Sequence, residues 1–216
     1  MTTVKKHSMF VLSTFVAIGG LLLAAQASYA GSISIVNPGF EADSLTDGDA
    51  TIQSITGWTA VNNGGNGGVF NPGDNNYLGA SNTSSNFTSL FGQNVAYSNG
   101  RTIEQTLSGT FNPASVYKLS VDVGKRLDEP FPSTGASIQI LAGTKVIASS
   151  VTPVPSSGGF ITVTAAYNPK RVNRNGAYNQ YSGQPLKIRL VSNDGNTFTG
   201  QVNWDNVKLT TRVPRQ

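Results

Sequence analysis

The sequence predicts an all-β protein built as a sandwich of two antiparallel sheets. Short runs rich in Val, Ile, Thr, Tyr and Phe recur between clusters of Gly, Asn, Ser and Pro, and no segment sustains the spacing of an amphipathic helix. About nine such strands separated by frequent turn residues are typical of two packed antiparallel sheets.

The clearest strand lies in the middle of the chain, where large apolar residues occupy every second position between Val116 and Val123. The long stretches 59–92 and 168–185 are predicted to be loops because Gly, Asn and Ser dominate them. Residues 125–129, Lys-Arg-Leu-Asp-Glu, are predicted to form a solvated loop with local ion pairs. The other predicted strands cover residues 32–36, 94–97, 102–107, 136–141, 145–151, 160–167, 186–191 and 201–209.

The first thirty residues predict a cleaved secretory signal. Two lysines precede the almost wholly apolar residues 9–25, and Ser28-Tyr29-Ala30 fits the small-residue pattern of a signal-peptidase site. The alternative is an uncleaved anchor, but the apolar run is shorter than the ~20 residues that span a bilayer. We therefore expect residues 1–30 to be removed, the protein to be periplasmic or extracellular without a stable membrane span, and residues 31–216 to form one β-sandwich domain.

The composition of the mature chain excludes several kinds of chemistry. Cleavage would remove the only histidine, His7, and the chain has no cysteine. A Ser–His or Cys–His nucleophile, an imidazole base and an ordinary zinc site are then impossible. Loss of Lys5 and Lys6 lowers the formal net charge from +4 to +2, and no basic-aromatic cluster predicts a nucleic-acid partner. Acid–base chemistry is left to Asp, Glu, Tyr or Lys, and a bound metal would be a hard cation.

An acidic cluster near the start of the mature chain predicts a calcium site. Glu41, Asp43, Asp47 and Asp49 lie within nine residues of one another. Four carboxylates this close repel one another unless a cation neutralises them, and calcium accepts six to eight oxygen ligands. The spacing does not match an EF-hand loop, and the alternative is a solvated acidic loop.

Three motifs resemble the galactose-binding-like jelly roll of carbohydrate-binding modules and many exported bacterial proteins. They are the opening Asn37-Pro38-Gly39-Phe40-Glu41, the pair Gly57-Trp58, and the closing strand 202–209 that contains Asp205-Asn206-Val207. The resemblance implies a jelly-roll sandwich in which the first and last strands are neighbours. It also implies that calcium can sit where Glu41 meets the closing strand, but such motifs specify a fold better than a function.

A closer resemblance is to the Stig cyclases, the calcium-dependent enzymes of hapalindole-type alkaloid biosynthesis in cyanobacteria. It runs through residues 69–73, 94–100, 120–126 and 201–209. The resemblance implies a homodimeric cyclase, of isomerase or lyase type, that acts on an apolar small molecule. Its substrate would be a geranylated indolenine bearing an isonitrile, and its product a polycyclic hapalindole or fischerindole.

The implied reaction is a Cope rearrangement followed by a cation-forming ring closure and a terminal aromatic C–C bond formation. The protein must then hold one conformer of the substrate, deliver one proton and shelter a cation. None of these tasks requires a histidine.

The resemblance assigns the acid to Asp205. In a regular strand Asp205 would face the same side as Val207 and Leu209, so an apolar environment would raise its pKa from ~3.9 and keep it protonated. The competing interpretation makes Asp205 a calcium ligand beside Glu41.

The resemblance assigns the pocket walls to Phe70, Tyr97 and Phe131, with the Tyr97 hydroxyl supplementing the acid. Ordinary core packing is the alternative for each aromatic residue on a strand. Core packing is also the prediction for Trp58 and Trp204, because a large side chain near each end of a sandwich fills the interior.

Two other functions remain open from the sequence. The first is an exported, non-catalytic carbohydrate- or matrix-binding module, for which Tyr167, Tyr178 and Tyr181 would supply an aromatic platform. The second is a glycoside-processing enzyme that uses a carboxylate pair such as Glu104 and Asp122, although no spacing places these two across a sugar.

Overall fold

A computed structural model describes residues 30–61, 64–73, 75–78, 92–193 and 198–214. The predicted signal segment up to residue 29, with His7, lies outside the described residues. Within the described ranges, no helix is both long enough and apolar enough to cross a membrane.

The described residues form strands arranged in two antiparallel sheets, which confirms the predicted fold class. The first sheet has the order β3-β4-β11-β6-β9, with β1 also paired to β11, and the second has the order β2-β5-β10-β7-β8. The strands are β1 (Ala30–Ile33), β2 (Thr59–Ala60), β3 (Asn66–Phe70), β4 (Val95–Asn99), β5 (Thr102–Thr110), β6 (Val116–Lys125), β7 (Ala136–Ala142), β8 (Lys145–Thr152), β9 (Gly159–Tyr167), β10 (Pro185–Ser192) and β11 (Val202–Arg212).

The closing strand β11 lies at the centre of the first sheet. Its last residues pair with β1, from Leu209 opposite Ile33 to Arg212 opposite Ala30, so the first and last strands are neighbours as expected. Its first residues pair with β4 on the same edge, and its other edge pairs with β6 along most of its length. Asp205 therefore has a strand partner only on the β6 side, while the other edge of residues 205–208 lies between β4 and β1, where the backbone N–H of Val207 donates to the Pro38 carbonyl oxygen at 2.9 Å.

The hydrophobic core lies between the two sheets. The alternating apolar residues of β6 all belong to it, and Trp58 and Trp204 are buried in it as predicted. Both indoles keep a hydrogen bond there: Trp204 Nε1 donates to Ser98 Oγ at 3.1 Å, and Trp58 Nε1 donates to the Asn37 carbonyl at 3.2 Å. Burial of this apolar surface is the main stabilising term, since the chain has no disulfide.

The glycine-rich stretch 59–92, predicted to be a loop, contributes two strands. A Cβ on Gly68 in β3 would lie only 2.2 Å from the carbonyl oxygen of Thr51, so glycine is required for this close backbone approach. The second predicted loop, 168–185, contains a four-residue helix, α1 (Pro169–Val172), and a 3-10 turn, Asn179–Tyr181, before β10 begins at Pro185.

A β-bulge interrupts β11 immediately after Asp205. Asp205 pairs with Asp122, but the next pair is Lys208 with Ser120, so β11 carries one extra residue. Asn206 at this point has a φ of 49°, in the left-handed region. Val207 and Leu209 face the core, as Trp204 does, whereas Asp205 faces the opposite side of the sheet. The prediction that Asp205 shares a face with Val207 and Leu209 was wrong, because the extra residue inverts the alternation.

Candidate active site

The outer face of the first sheet carries a second, smaller hydrophobic cluster, here called the outer-face cluster. It consists of Phe70, Tyr77, Val95 and Tyr97, with Phe160 packed against it. Strand register sets Asn203 of β11 between Tyr97 of β4 and Gly124 of β6. Phe160 of β9 lies opposite Gly124. Asp205 follows two residues after Asn203, so its side chain projects from the same face.

Asp205 is the central polar group of this face. It is completely buried, and its Oδ1 accepts a hydrogen bond from the backbone N–H of Asn206 at 2.7 Å. Its Oδ2 is buried without a hydrogen-bond partner among the described residues. Burial raises the pKa of Asp205 to about 9; the Asn206 N–H acts to lower this pKa, and the charges of Glu41 and Asp122 act to raise it. A carboxyl with this pKa is mostly protonated at neutral pH.

Two of the three aromatic residues predicted to line the pocket share this face with Asp205. The Tyr97 hydroxyl donates to the carbonyl oxygen of Thr51 at 2.9 Å. Burial raises the pKa of Tyr97, with the Arg101 charge acting in the opposite direction, so the hydroxyl stays protonated. Phe70 lies at the end of β3 beside Val95. Tyr97 is thus held by its hydroxyl, and Phe70 forms part of the apolar wall.

Phe131, the third predicted wall residue, is not brought to this face. It is nearly buried and packs with the core between the sheets. The backbone N–H of Gln201 donates to the carbonyl oxygen of Pro130 at 2.8 Å, which ties this loop to the start of β11. The sequence offered no anchor for residues 127–132, so it could not show which way the Phe131 ring points.

The structure adds two residues that the sequence analysis did not single out, Tyr77 and Asn203. The Tyr77 hydroxyl donates to Asn203 Oδ1 at 2.9 Å, and its ring lies 4.8 Å from the ring of Phe160. Burial raises the pKa of Tyr77 well above its ordinary value, and the positive charge of Arg126 only partly offsets this. The sequence did contain a signal for Asn203: it lies two residues before Asp205, and residues at this spacing project from the same face of a strand. Tyr77 lies in a polar loop segment and gave no comparable signal.

Arg126 also belongs to the site, which corrects its prediction as part of a solvated loop. Its guanidinium carbon lies 4.3 Å from the centre of the Phe70 ring, and its Nη1 donates to Gln201 Oε1 at 3.2 Å. The side chain is only 14% exposed, whereas its ion-pair partner Asp128 is 47% exposed. The expected local ion pair exists, but it holds Arg126 against the aromatic wall.

The four carboxylates predicted to bind calcium are not brought together. Glu41 Oε1 accepts the backbone N–H groups of Gln93 and Asn94, each at 2.9 Å. Asp47 and Asp49 lie in an exposed turn. In the described ranges, no group of three or more Asp, Glu, His or Cys residues could hold a metal ion. These carboxylates are close together in sequence but have different surroundings, because the turn at residues 46–49 directs Asp47 and Asp49 to solvent.

A smaller set of oxygen atoms does suit a hard cation. Asp43 Oδ2 and Asn94 Oδ1 are both buried without a hydrogen-bond partner among the described residues. The two residues adjoin, because Asn94 Nδ2 donates to the Asp43 carbonyl oxygen at 2.8 Å. A Cβ on Gly39 would lie 3.6 Å from Asp205 Oδ1 and 3.8 Å from Glu41 Cγ, so these two acids flank one glycine.

The carboxylate pair Glu104 and Asp122 cannot act across one sugar. Glu104 lies on the second sheet, where its oxygens accept from Lys187 Nζ at 2.8 Å and Arg189 Nη2 at 2.6 Å. Burial acts to raise the Glu104 pKa, but these two cations outweigh it and hold the pKa below its ordinary value. Asp122 lies on the first sheet, opposite Asp205. The two carboxylates therefore belong to different sheets.

The three tyrosines considered as a sugar-binding platform do not form an exposed one. Tyr167 is completely buried and donates its hydroxyl hydrogen to the Pro113 carbonyl oxygen at 2.9 Å. Tyr178 and Tyr181 are partly buried against the same core. Their rings pack on one another, with centroids 5.6 Å apart for Tyr167 and Tyr178 and 6.3 Å apart for Tyr178 and Tyr181.

Solved structures with the same fold include Stig cyclases from Fischerella. One is the cyclase Fisc from Fischerella sp. TAU, in complex with (3Z)-3-(1-methyl-2-pyrrolidinylidene)-3H-indole. Its sequence is 30% identical to this chain and its TM-score is 0.67, and the match covers 87% of this chain and 100% of the Fisc chain. A Fischerella sp. TAU cyclase in complex with 4-(1H-indol-3-yl)butan-2-one is 29% identical with a TM-score of 0.65, covering 86% of this chain and 100% of its own. These neighbours indicate a Stig-type cyclase of indole alkaloid biosynthesis.

The family assignment comes from the sequence match. Residues 31–210 match the HpiC1-like family, described as HpiC1 cyclase. The chain belongs to this family of cyclases. A comparison with curated proteins finds no match.

More distant neighbours share only the fold. A Bacteroides thetaiotaomicron protein described as sugar-binding is 11% identical with a TM-score of 0.50, and the match covers 82% of this chain and 98% of that one. This likeness confirms the jelly-roll sandwich and carries nothing about a ligand.

Proposed function

We propose that this cyclase converts a geranylated, isonitrile-bearing indolenine into a polycyclic alkaloid of the hapalindole or fischerindole type. The observation that carries the proposal is the completely buried Asp205 on a face lined by aromatic rings. Such a carboxyl keeps its proton at neutral pH and can act as a general acid. The indole compounds bound to the two Fischerella cyclases support the class of substrate.

The proposed reaction is an isomerisation in three steps. In the Cope rearrangement one C–C σ bond breaks and another forms, without a proton. Asp205 Oδ2 then protonates an alkene carbon, and the carbocation is captured as a ring closes. In the last step an aromatic carbon of the indole forms the final C–C bond, and the proton that it loses restores Asp205. Substrate and product therefore have the same atoms.

The rings around Asp205 have two roles in this scheme. Phe70, Tyr97 and Phe160 are apolar walls that hold one folded conformer of the geranyl chain, which recovers orientation entropy. Their π faces attract a carbocation that forms close to them. The Tyr97 hydroxyl, engaged by Thr51, positions its ring and is not the primary acid.

Product analysis tests the proposal directly. The purified mature chain is incubated with the geranylated indolenine, with and without calcium, and the products are separated and identified by mass spectrometry and NMR. We expect a polycyclic isomer of the substrate. Unconsumed substrate in the presence of calcium would overturn the proposed function.

We also propose that calcium binds at Asp43 and Asn94, with Glu41 as a further ligand. The support is the pair of buried oxygens on Asp43 and Asn94 that have no hydrogen-bond partner in the described ranges, since calcium prefers carboxylate and amide oxygens. Bound calcium would fix the loop from residue 41 to 43 against the start of β4. Its binding is measured by calorimetry on the metal-free protein, which requires no turnover.

The resemblance further predicts export and a homodimer, and both stay predictions. N-terminal sequencing of the secreted protein should begin at Gly31. Sedimentation of the purified protein should give the mass of two mature chains.

A further inference from the structure

Asn203 is a completely buried amide in the outer-face cluster that already has one of its two ends satisfied. Its Oδ1 accepts the hydroxyl hydrogen of Tyr77 at 2.9 Å. Its Nδ2 is buried without a hydrogen-bond acceptor among the described residues. A buried donor without an acceptor is unfavourable and is rare in folded proteins. The amide is thus held in one orientation with a donor left over.

The Asn203 Nδ2 donor has apolar surroundings and lies close to Asp205. Asn203 lies opposite Tyr97 and Gly124, on the face that carries Phe70 and Phe160. Asp205 follows two residues later on the same strand, and its Oδ2 also has no hydrogen-bond partner within the described part of the chain. Side chains at this spacing on one strand face are roughly 7 Å apart. A bound molecule that contacts Asp205 Oδ2 with one atom can therefore contact Asn203 with another atom that lies several bonds away in the same molecule.

We infer that Asn203 Nδ2 donates a hydrogen bond to the isonitrile of the substrate and selects for that group. This inference rests on the proposed function. The isonitrile ends in a carbon with a lone pair, which accepts a hydrogen bond, whereas the geranyl chain has no acceptor. A pocket with one buried donor rejects a ligand that leaves that donor unpaired. Asn203 is therefore a specificity-determining residue, and Tyr77 orients its amide.

An alkyne analogue of the substrate provides the test. A terminal ethynyl group has the linear shape of an isonitrile, but its end carbon bears a hydrogen and accepts nothing. We expect the unaltered enzyme to prefer the isonitrile substrate by at least about tenfold in kcat/KM, as one hydrogen bond would provide. Asn203→Leu should reduce that preference to less than about twofold by losing activity on the isonitrile substrate alone, and Tyr77→Phe should reduce it in part.

Controls separate this outcome from misfolding and from failure of the proposed function. Gln139→Leu removes an amide on β7 of the second sheet and should leave the substrate preference unchanged. Melting temperatures verify that Asn203→Leu is folded. If the unaltered enzyme consumes neither substrate, the proposed function fails and this inference fails with it. If the enzyme is active and folded Asn203→Leu keeps the tenfold preference, only the role of Asn203 is overturned.

Discussion

Asp205 and Asp122 are direct partners across β11 and β6, and only Asp205 is completely buried. Asp122 is half-buried, and its oxygens accept from Thr162 Oγ1 at 2.6 Å and from Asn206 Nδ2 at 3.0 Å. Two carboxyl groups in one register position thus differ in solvation. That difference supports the proposal that Asp205 is the proton donor, and it makes Asp122 a matched control.

Asp205→Asn should abolish most of the cyclase turnover. The amide has nearly the same shape but cannot donate an acidic proton, and general acids contribute about 10²- to 10⁴-fold to rate. Single-turnover product formation measures the loss. Asp122→Asn should keep most of the activity. Equal losses in the two variants, or an active Asp205→Asn, would contradict the assignment.

The pH dependence of kcat/KM should show one basic limb controlled by Asp205. Its protonated form is the donor and its pKa is raised to about 9, so activity should be flat near neutrality and fall as pH rises through about 9. A profile measured at fixed calcium between pH 6 and about 10 tests this. Activity that already falls about tenfold per pH unit from pH 6 would indicate that the carboxyl is ionised at neutral pH.

The same pKa shift predicts how stability depends on pH. An aspartate has a pKa of 3.8 in an unfolded chain, whereas burial raises the pKa of Asp205 to about 9, so between these values the folded state binds more protons. By linkage, this group's stabilising contribution to the free energy of unfolding is fully present below about pH 4 and is lost as the pH rises towards 9. Melting curves should therefore show a steeper decline with pH for the unaltered chain than for Asp205→Asn. Parallel declines would oppose a raised pKa.

Calcium removal should lower the melting temperature. A ligand that binds only the folded state stabilises it by mass action, so chelation should reverse that gain. Asp43→Ala should remove the calcium response, because it deletes a buried unpartnered oxygen. Asp47→Ala, in the exposed turn, is the matched control and should respond like the unaltered chain. If Asp205→Asn instead abolishes calcium binding, Asp205 is a metal ligand.

Gly124→Ala should disturb the aromatic wall. A Cβ at this position would lie 2.5 Å from the Phe160 ring, so the ring must shift, and its stacking on Tyr77 at 4.8 Å must change with it. Overpacking of this kind costs ~1–3 kcal/mol, and we expect a lower melting temperature with a raised KM. Gly109→Ala on β5 is the control, because its nearest atom would be 3.9 Å away. An unchanged KM in Gly124→Ala would show that Phe160 does not touch the substrate.

The sequence predicted the sandwich because alternation along strands such as β6 records which side faces the core. It did not predict β3, since Gly67 and Gly68 are there for close backbone approach and give no apolar pattern. The sequence analysis placed Asp205 on the wrong face for a related reason. Asn206 has a left-handed backbone and inverts the alternation of inward and outward side chains, but nothing in the composition of the strand indicates this. Tyr77 could not be found either, because its role depends on a hydrogen bond across 126 residues.

Asn206 also lets one strand serve two purposes. Before Asn206, the strand turns Asn203 and Asp205 to the outer face and Val202 and Trp204 to the interior, and after it Val207 and Leu209 return to the interior. If Asn206 were extended and paired like an ordinary strand residue, the alternation of inward and outward side chains would continue without a break. Lys208 would then face the interior in place of Val207. The bulge therefore couples the two faces of the strand: a substitution that removed it would move Lys208 into the packed interior and change the outer face at the same time.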